Sequence, residues 1–349
     1  MNATGQGGVD VDARPVRVGV IGAGRIGQLH AELIARSVPG ASLGSVYDID
    51  TAAAAQLAAR LGTRHARSAG ELLEGEVDAV AICSSTDSHV EMLVAAAQAQ
   101  KAIFCEKPVS LDLAEVDRAL DVVSRSGVPF QVGFNRRFDP AHAAVQEAVA
   151  AGRVGELHLV RISSRDPEPP PLAYVRVSGG LFLDMTIHDF DMARFVTGSE
   201  VTQVYAVGAV RVEPSFAEAG DVDTAVITLV HADGCMTMID NSRHAVYGFD
   251  QRVEAFGSDG MAASENPLAH TAIVRSAAGT TAPPLPHFFL ERYTPSYVRQ
   301  WEHFVHAVRV GAPSDGHLAD ARAPLVIGLA ARRSAFERRP VDLAEVDGQ

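Results

Sequence analysis

A glycine-rich segment, Gly22-Ala23-Gly24-Arg25-Ile26-Gly27, stands directly after a short apolar run near the start of the chain. Glycines at its first, third and sixth positions permit a tight turn and the close approach of a pyrophosphate group to the backbone. Asp48 ends the next apolar run, 21 residues after Gly27, where a carboxylate can accept both hydroxyls of a ribose. The pattern predicts a nicotinamide dinucleotide site that prefers NAD; the alternative is an ordinary glycine-rich turn.

A lysine, Lys107, follows another apolar run within the sequence Glu106-Lys107-Pro108. If that run is a parallel strand, Lys107 lies at the edge of the sheet where open α/β sheets bind their ligands. Its ammonium can then hold a substrate hydroxyl and favour the alkoxide, and Pro108 can fix the turn through a trans or a cis peptide bond. Considered alone, a lysine in such a position is more often a solvated charge.

A carboxylate and an imidazole, Asp184 and His188, are four residues apart, which places them on one face of a helix. Such a carboxylate can orient the ring and set its tautomer, so that the imidazole accepts a proton near neutral pH. Asp191 follows three residues later, but no third strong ligand has metal-site spacing, and we expect no metal. The alternative is a structural pair that caps the helix.

Between residues 15 and 133, short apolar runs alternate with segments of helical spacing, and these elements must position the residues named above. Several apolar runs have almost no polar residue, which is typical of parallel strands covered on both faces. The pattern predicts a doubly wound Rossmann domain over residues 16–134, preceded by a flexible tail at residues 1–15. The predicted strands are Val16–Gly22, Ser42–Tyr47, Val77–Cys83, Ala102–Cys105 and Pro129–Gly133, and the predicted helices are Ile26–Ser37, Thr51–Leu61, Ser88–Ala99 and Leu113–Ser126.

The second half has a different pattern, with one helix, Ala141–Ala151, followed by segments in which apolar and polar residues alternate. Alternation of this kind indicates a large, open, mostly antiparallel sheet, so residues 135–349 are predicted to form an α/β substrate-binding and oligomerisation domain. The proline-rich loop Pro167–Pro171 is either a lid or a stiff connection. The predicted strands are His158–Ser164, Gln203–Val212, Thr224–His231, Cys235–Asn241, Gln251–Phe256 and Thr271–Val274, a helix begins after Gly179-Gly180, and the closing helices are Ser296–Val310 and His317–Glu337.

The composition excludes several classes of protein. The 349 residues carry a formal net charge of −13, which repels phosphate backbones, so nucleic acid is not an expected partner. No apolar run approaches the ~20 residues of a membrane-spanning helix, and residues 1–15 have neither the basic start nor the apolar stretch of a signal peptide. The three cysteines are widely spaced, which is typical of buried free thiols in a reducing compartment, and we expect a cytoplasmic protein.

The three motifs in this order resemble the Gfo/Idh/MocA family of oxidoreductases, and the resemblance covers residues 16–340. Further segments are similar to those of the bacterial inositol 2-dehydrogenases within that family. These segments are Gly133-Phe-Asn-Arg-Arg-Phe-Asp139, Ser164-Arg-Asp-Pro167, Gly179-Gly180, Asn241-Ser-Arg243, Tyr247-Gly-Phe-Asp-Gln-Arg-Val-Glu-Ala-Phe-Gly257 and Phe289-Leu-Glu-Arg-Tyr293.

The resemblance implies a role for each matching residue. It implies that Lys107 contacts the reacting hydroxyl and the nicotinamide, that His188 is the catalytic acid/base, and that Asp184 orients it. The implied polyol-binding residues are Lys107, Asn135, Arg137, Asp166, Asp184, His188 and Tyr247. The implied cofactor-binding residues are Gly22, Gly24, Arg25, Ile26, Gly27, Asp48, Ser84, Thr86, His89, Glu106 and Lys107. Asp87 stands where relatives carry a proline, which is a departure beside the implied cofactor contacts.

The expected function is therefore the NAD-dependent oxidation of a ring hydroxyl of an inositol, myo-inositol to the 2-keto inosose, or of a related cyclitol. The resemblance also implies an active site between the domains and a homotetramer assembled through the second sheet. Other hypotheses remain open: a dehydrogenase of another cyclitol or a pyranose, a glycosidase with retained NAD, and a non-catalytic NAD-binding regulator. The sequence does not distinguish which hydroxyl reacts or whether oxidation serves catabolism or biosynthesis.

Overall fold

The computed structural model describes residues 14–312 and 315–347. The described residues divide into two compact units, the first formed by those up to Gly133 and those between Tyr297 and Ala319, and the second by Phe134–Ser296 and those from Asp320 onward. Most of the predicted tail, residues 1–13, lies outside the described residues. Arg14, the first described residue, is exposed and donates to the Asp78 carboxylate at 2.6 Å.

The first unit contains a six-stranded parallel sheet in the order β3-β2-β1-β4-β5-β6. This order confirms the predicted Rossmann fold, because strand order reverses beside β1. The strands are β1 (Val16–Ile21), β2 (Ala41–Tyr47), β3 (Arg64–His65), β4 (Ala79–Ile82), β5 (Ala102–Cys105) and β6 (Phe130–Val132). The helices between them are α1 (Arg25–Arg36), α2 (Thr51–Leu61), α3 (Ala69–Glu74), α4 (Thr86–Gln98) and α5 (Leu113–Ser126).

Local sequence explains why these elements form. All four residues of β4 are buried, as expected for a central parallel strand with helices on both faces. In α5 the buried residues recur at helical spacing along one face, the side chain of Asp112 accepts the backbone N–H of Glu115, and Gly127 ends the helix in the left-handed region. The short elements β3 and α3 were not predicted, because segments of two and six residues carry too little periodicity.

The second unit contains a seven-stranded sheet in the order β12-β11-β7-β10-β9-β8-β15. Only β7 and β10 pair in parallel, and the other neighbours are antiparallel, which confirms the predicted sheet. Its strands are β7 (Leu157–Arg165), β8 (Val201–Ala209), β9 (Thr224–His231), β10 (Met236–Ser242), β11 (Asp250–Gly257), β12 (Gly260–Ser264) and β15 (Val341–Asp342). A separate hairpin is formed by β13 (Val274–Ser276) and β14 (Gly279–Thr281), whereas the sequence suggested a strand at 271–274.

The helices of the second half carry the substrate-side motifs. A 3₁₀ helix, Asn135–Phe138, precedes α6 (Pro140–Ala150), and a π-helix, Leu181–Met185, leads into α8 (Ile187–Thr197). The proline-rich loop runs into α7 (Leu172–Ser178), which sequence reasoning did not predict. The remaining helices are α9 (Ser215–Glu218), α10 (Phe289–Val310), α11 (Asp315–Glu337) and α12 (Ala344–Asp347).

Helix α10 begins seven residues earlier than predicted, because it continues through Pro295. An interior proline removes one backbone hydrogen bond, at a cost of about 3 kcal/mol. Tyr293 and Tyr297, on either side of Pro295, are both buried, so their packing offsets that cost. Among the helices of the described residues, we find none whose length and apolar character would let it cross a membrane.

Candidate active site

The glycine turn after β1 leaves space for a dinucleotide. Gly22 has φ of +106°, and a Cβ there would lie 2.5 Å from the carbonyl carbon of Cys83. A Cβ on Gly27 would lie 2.0 Å from the carbonyl oxygen of Gly22, so α1 could not begin so close to the turn with any larger residue. At Gly24 a Cβ would meet no atom within 4 Å among the described residues, its own turn and helix backbone aside, which leaves this position open to a ligand. The turn fits a pyrophosphate at the N-terminus of α1, where Arg25 is exposed and Ile26 half-buried.

Asp48 is held against this turn. One of its carboxylate oxygens accepts the backbone N–H of Ala23 at 2.6 Å, and the other accepts that of Asp50 at 2.8 Å. Each oxygen keeps a further lone pair, so the carboxylate can still accept ribose hydroxyls. The structure therefore brings Asp48 and the glycine turn together, 25 residues apart in the chain.

The segment after β4 carries three more predicted cofactor residues. The Ser84 hydroxyl shares a hydrogen bond of 2.6 Å with Ser88, and Thr86 is the first residue of α4. His89 is buried, with Nδ1 2.9 Å from the carbonyl oxygen of Pro108 and Nε2 3.0 Å from that of Ser84. Burial lowers the pKa of His89. Its ring nitrogens thus link the turns after β4 and β5, and any contact of His89 with a cofactor remains a prediction.

Lys107 follows β5 at the carboxyl edge of the same sheet as Gly22, Asp48 and Ser84. Its peptide bond to Pro108 is cis. Its backbone N–H donates to the Glu106 carboxylate at 3.3 Å, and the Glu106 side chain is only 10% exposed. Parallel strands end together at this edge, so the first unit gathers the predicted cofactor residues where α/β sheets bind ligands.

In the second unit Asp184 lies in the π-helix, and its two carboxylate oxygens accept hydrogen bonds from different residues. The Tyr174 hydroxyl donates to Oδ1 at 2.9 Å, and the Arg243 guanidinium donates to Oδ2 at 3.1 Å. Arg243 is 3% exposed and also lies 3.5 Å from the carboxylate of Asp166. One buried cation therefore contacts two predicted polyol-binding carboxylates. Burial raises the pKa of Asp166, although the positive charge of Arg243 lowers it.

His188 is half-buried on α8, with its ring edge-on to Phe134 at 5.9 Å. Its neighbour Asp189 is fully buried and accepts Arg136 at 2.6 Å and the Asn241 amide at 2.8 Å. Burial raises the pKa of Asp189 to about 6, although both partners favour its charged form. These hydrogen bonds attach α8 to the end of β10, and the same strand leads to Arg243. They therefore hold the backbone of α8 at His188 in one position.

The other predicted polyol residues have different surroundings. Asn135 is 3% exposed, and its Nδ2 has no hydrogen-bond partner among the described residues, as expected of a donor kept for a ligand. Arg137 donates to Asp191 through two nitrogens, at 2.8 and 2.5 Å, and to Asp320 at 2.6 Å. Its guanidinium is thus engaged by carboxylates, and its contact with a polyol remains a prediction.

Tyr247 is half-exposed and lies in a separate polar group. Its hydroxyl accepts Arg165 at 2.8 Å and donates to Asp250 at 2.7 Å. Burial, followed by the hydrogen bond to Asp250, raises the pKa of Tyr247. Arg165 adjoins Asp166 in the chain, but the hydrogen bonds of the Tyr247 hydroxyl go to Arg165 and Asp250 rather than to Asp184 or Arg243. No group of three or more His, Cys, Asp or Glu residues within 14–312 and 315–347 could hold a metal ion.

Sequence reasoning did not identify Tyr174 and Arg243 as site residues. Tyr174 comes from α7, beside the proline-rich loop, so this segment is tied to Asp184. Arg243 follows β10 in the segment Asn241-Ser-Arg243, which served only as a mark of resemblance. The sequence shows only an arginine close after the predicted strand Cys235–Asn241, and its burial, which requires a charged partner, became visible in the structure.

Comparison with known proteins agrees with this geometry. A family model described as "Oxidoreductase family, NAD-binding Rossmann fold" matches residues 16–134, and one described as "GFO/IDH/MocA C-terminal domain" matches residues 142–263. The myo-inositol 2-dehydrogenase of Thermotoga maritima is 46% identical over 95% of this chain and 100% of its own. The inositol 2-dehydrogenase of Rhizobium meliloti is 43% identical, covering 94% and 99%. The crystal structure of a myo-inositol dehydrogenase from Corynebacterium glutamicum has a TM-score of 0.90 at 37% identity, covering 94% and 99%.

Proposed function

Because this chain belongs to the Gfo/Idh/MocA family and is an NAD-dependent oxidoreductase, we propose that it oxidises a ring hydroxyl of an inositol to a ketone. The substrate we assign is myo-inositol, and the product is the 2-keto inosose. The observation that carries this proposal is the likeness to two inositol 2-dehydrogenases over more than nine-tenths of the chain. The two family models also span these residues, since the match over 16–134 contains the glycine turn and Lys107 and the match over 142–263 contains Asp184 and His188.

In the proposed reaction the O–H bond and the adjacent C–H bond of one carbinol break, and a carbonyl forms. A bound NAD, held by the glycine turn and Asp48, would supply the acceptor for the hydride that leaves the carbon. His188 takes the hydroxyl proton at a ring nitrogen, and the Lys107 ammonium stabilises the negative charge that develops on the oxygen. Asp184 positions the polyol and the imidazole, while Tyr174 and Arg243 hold its carboxylate.

Polar residues of the second unit suit a ring that carries many hydroxyls. We assign hydroxyl contacts to the Asn135 amide, whose buried Nδ2 lacks a partner among the described residues, and to Asp166 and Tyr247. Each buried polar group left unpaired costs about 1–3 kcal/mol, so such a site rejects substrates that lack the matching hydroxyl. Arg137, which pairs with Asp191 and Asp320, stabilises the segment that bears Asn135.

A panel of polyols tests the proposal. The purified enzyme is mixed with NAD and, separately, myo-inositol, scyllo-inositol, glucose or xylose, and NADH formation is followed by absorbance. We expect the highest kcat/KM with myo-inositol and steady release of NADH, with His188→Ala as the inactive control. Turnover of an aldose without turnover of any inositol would contradict the assignment. A single stoichiometric burst without steady NADH release would instead indicate a retained cofactor.

We also propose that the enzyme is a homotetramer that assembles through the exposed face of the second sheet. Six large apolar side chains of this face are between 42% and 55% exposed, namely Tyr205, Val207, Val226, Met236, Phe256 and Met261. Apolar side chains clustered on one exposed face favour association. Light scattering after size exclusion should give four chains per particle, and Val226→Asp should lower that number. A monomer at micromolar concentration would contradict the proposal.

A cytoplasmic location is the compartment we propose. Cys83, Cys105 and Cys235 are all free and buried in the structure, as suits a reducing environment. Burial raises the pKa of each thiol, which keeps it protonated and poorly reactive. Fractionation of cells that express the tagged protein would test this directly, and recovery in the periplasmic or secreted fraction would overturn it.

A further inference from the structure

A chain of three buried side chains in the first unit ends at the turn that carries Lys107. The indole Nε1 of Trp301 lies 2.8 Å from Nδ1 of His30, and Nε2 of His30 lies 2.7 Å from Oε1 of Glu106. The other oxygen of Glu106 accepts the backbone N–H of Lys107 at 3.3 Å. The chain thus connects helix α10, helix α1 and the end of strand β5.

The direction of these hydrogen bonds is determined by the tryptophan. An indole N–H can only donate, so Nδ1 of His30 accepts it with its lone pair. The ring proton of His30 is then on Nε2, which faces Glu106 and donates to it. A doubly protonated ring could not accept from Trp301, and the other neutral tautomer would bring two N–H groups together. His30 is therefore a neutral Nε2–H donor to the Glu106 carboxylate.

The surroundings keep this arrangement in one geometry. His30 and Trp301 have no exposed surface. Phe104 stacks on Trp301 with ring centroids 4.6 Å apart and meets the His30 ring edge-on at 5.1 Å. Hydrogen bonds in such a dry site are stronger than in water, and water has little access to replace a lost partner.

Glycine at position 133 completes the pocket around Glu106. A Cβ there would lie 2.9 Å from the carboxyl carbon of Glu106, so any larger residue would displace the carboxylate. Glu106 is consequently held on three sides: by the ring of His30, by the α-carbon of Gly133 and by the backbone N–H of Lys107. Glu106 and Lys107 are adjacent, so a shift of this carboxylate moves the backbone from which the Lys107 side chain extends.

We propose that His30 and Trp301 are positioning residues for the dehydrogenation. They hold the Glu106 carboxylate and, through it, the turn that aims the Lys107 ammonium at the reacting hydroxyl. The proposal deepens the function proposed above, since Lys107 is assigned there to the developing charge on oxygen. Positioning of this kind affects kcat, because the charge on the substrate oxygen grows only in the transition state.

Four variants of the whole enzyme test the proposal. Trp301→Phe removes the indole N–H but keeps an aromatic ring against Phe104. His30→Leu removes both hydrogen bonds, whereas His30→Gln keeps an N–H donor near the position of Nε2. Phe304→Leu is the matched control, because Phe304 packs on Trp301 and Phe104 at 5.5 and 5.9 Å and has no polar atom in its side chain.

We expect kcat to fall about tenfold in His30→Leu, which removes the hydrogen bond to the charged Glu106, and about threefold to tenfold in Trp301→Phe, which removes only the hydrogen bond to the neutral ring. His30→Gln should recover kcat to within about threefold of the wild type, and Phe304→Leu to within about twofold, despite a lower Tm. Equal kcat in His30→Leu and Phe304→Leu would overturn the proposal. A kcat in His30→Gln no higher than that in His30→Leu would overturn it as well. If His30→Leu does not fold, Trp301→Phe compared with Phe304→Leu decides the question.

A spectroscopic readout requires no substrate. Trp301 is the only tryptophan in the chain, so the indole bands of an ultraviolet resonance Raman spectrum report on it alone. The N–H band should indicate a strong hydrogen bond in the wild type and in Phe304→Leu, and a weaker one in His30→Leu. An unchanged band in His30→Leu would overturn the proposed donor chain. Kinetics are measured with whichever polyol of the panel yields NADH, so an incorrect substrate assignment does not affect the comparison among variants.

Discussion

The guanidinium of Arg243 lies 3.1 Å from the carboxylate of Asp184, although the two residues are 59 positions apart in the chain. The same buried cation lies 3.5 Å from Asp166, so it separates two carboxylates that would otherwise repel each other. Asp184 can therefore remain a charged acceptor beside a polyol, and its orientation depends on a residue that sequence reasoning did not assign to the site.

Arg243→Gln should lower kcat/KM for the polyol by about a hundredfold, because removing one partner of a buried ion pair leaves an uncompensated charge. The Kd for NAD should change by less than about threefold, since its predicted contacts lie in the other unit, and Arg243→Lys should restore part of the activity. Arg153→Gln, an exposed arginine in the turn after α6, is the matched control. Loss of NAD binding in step with activity would indicate general unfolding instead.

Lys107→Met keeps most of the side-chain stem but removes the ammonium. If that ammonium stabilises the developing alkoxide, kcat and kcat/KM should both fall at least about a hundredfold while NAD affinity changes much less. Steady-state kinetics and NAD titration measure both quantities. A variant that raised only KM at unchanged kcat would make Lys107 a uniform binding contact.

His188→Ala should reduce kcat by about 10²–10⁴-fold, the usual contribution of a positioned acid/base, while NAD binding persists. His188→Asn, which keeps polarity but cannot take the proton, should be no more active than the alanine variant. His158→Ala, an exposed histidine on β7, controls for loss of an imidazole elsewhere in the same unit. Near-normal turnover in His188→Ala would remove His188 from the proposed role.

Asp48 should make the enzyme prefer NAD over NADP. Its carboxylate is held beside the glycine turn by the backbone N–H groups of Ala23 and Asp50 and would repel a 2′-phosphate. Two unit charges 4 Å apart repel by about 1 kcal/mol in water and more where screening is weaker. Asp48→Ser should reduce the ratio of kcat/KM with NAD to kcat/KM with NADP. Glu74→Gln, which changes an exposed carboxylate of α3, should leave that ratio unchanged. Equal efficiency of the wild type with both cofactors would contradict this prediction.

His142 should make the fold sensitive to acid. Burial lowers the pKa of His142 below its usual value of about 6.5. The negative charge of Asp139 raises this pKa, and the positive charge of Arg292 lowers it further. Between the two pKa values the unfolded chain binds more protons than the folded one, so the free energy of unfolding falls as pH drops below about 6.5. The free energy of unfolding stops falling below the pKa that His142 has in the folded protein, because the ring is then protonated in both states.

Thermal unfolding followed by circular dichroism between pH values of about 5 and 8 tests this relation. His142→Gln removes the titration and should flatten the dependence of Tm on pH, even if the variant is less stable at neutral pH. His158→Gln is the control, because its ring is exposed. An equally steep dependence in His142→Gln would assign the acid sensitivity to other groups.

The sequence alone was sufficient for the features that depend on short-range patterns. Apolar runs with helical segments between them predicted the parallel sheet, because strand and helix periods are visible within about ten residues. The turn at Gly22 and the helix Leu113–Ser126 were predicted for the same reason, since a turn and a helical repeat both involve near neighbours in the chain. Short elements such as β3 were too brief to leave such a pattern.

Only the tertiary structure decided which polar groups meet. Asp184 is paired with Arg243, and His30 receives the indole N–H of Trp301 from 271 residues away. The partners of Arg137 were also not predictable. Its position in the family motif implied a polyol contact, but the sequence did not show that Asp191 and Asp320 accept its hydrogen bonds. A buried charge or donor requires some partner, but packing of distant elements determines which one is within 3 Å, and no local pattern in the chain records that choice.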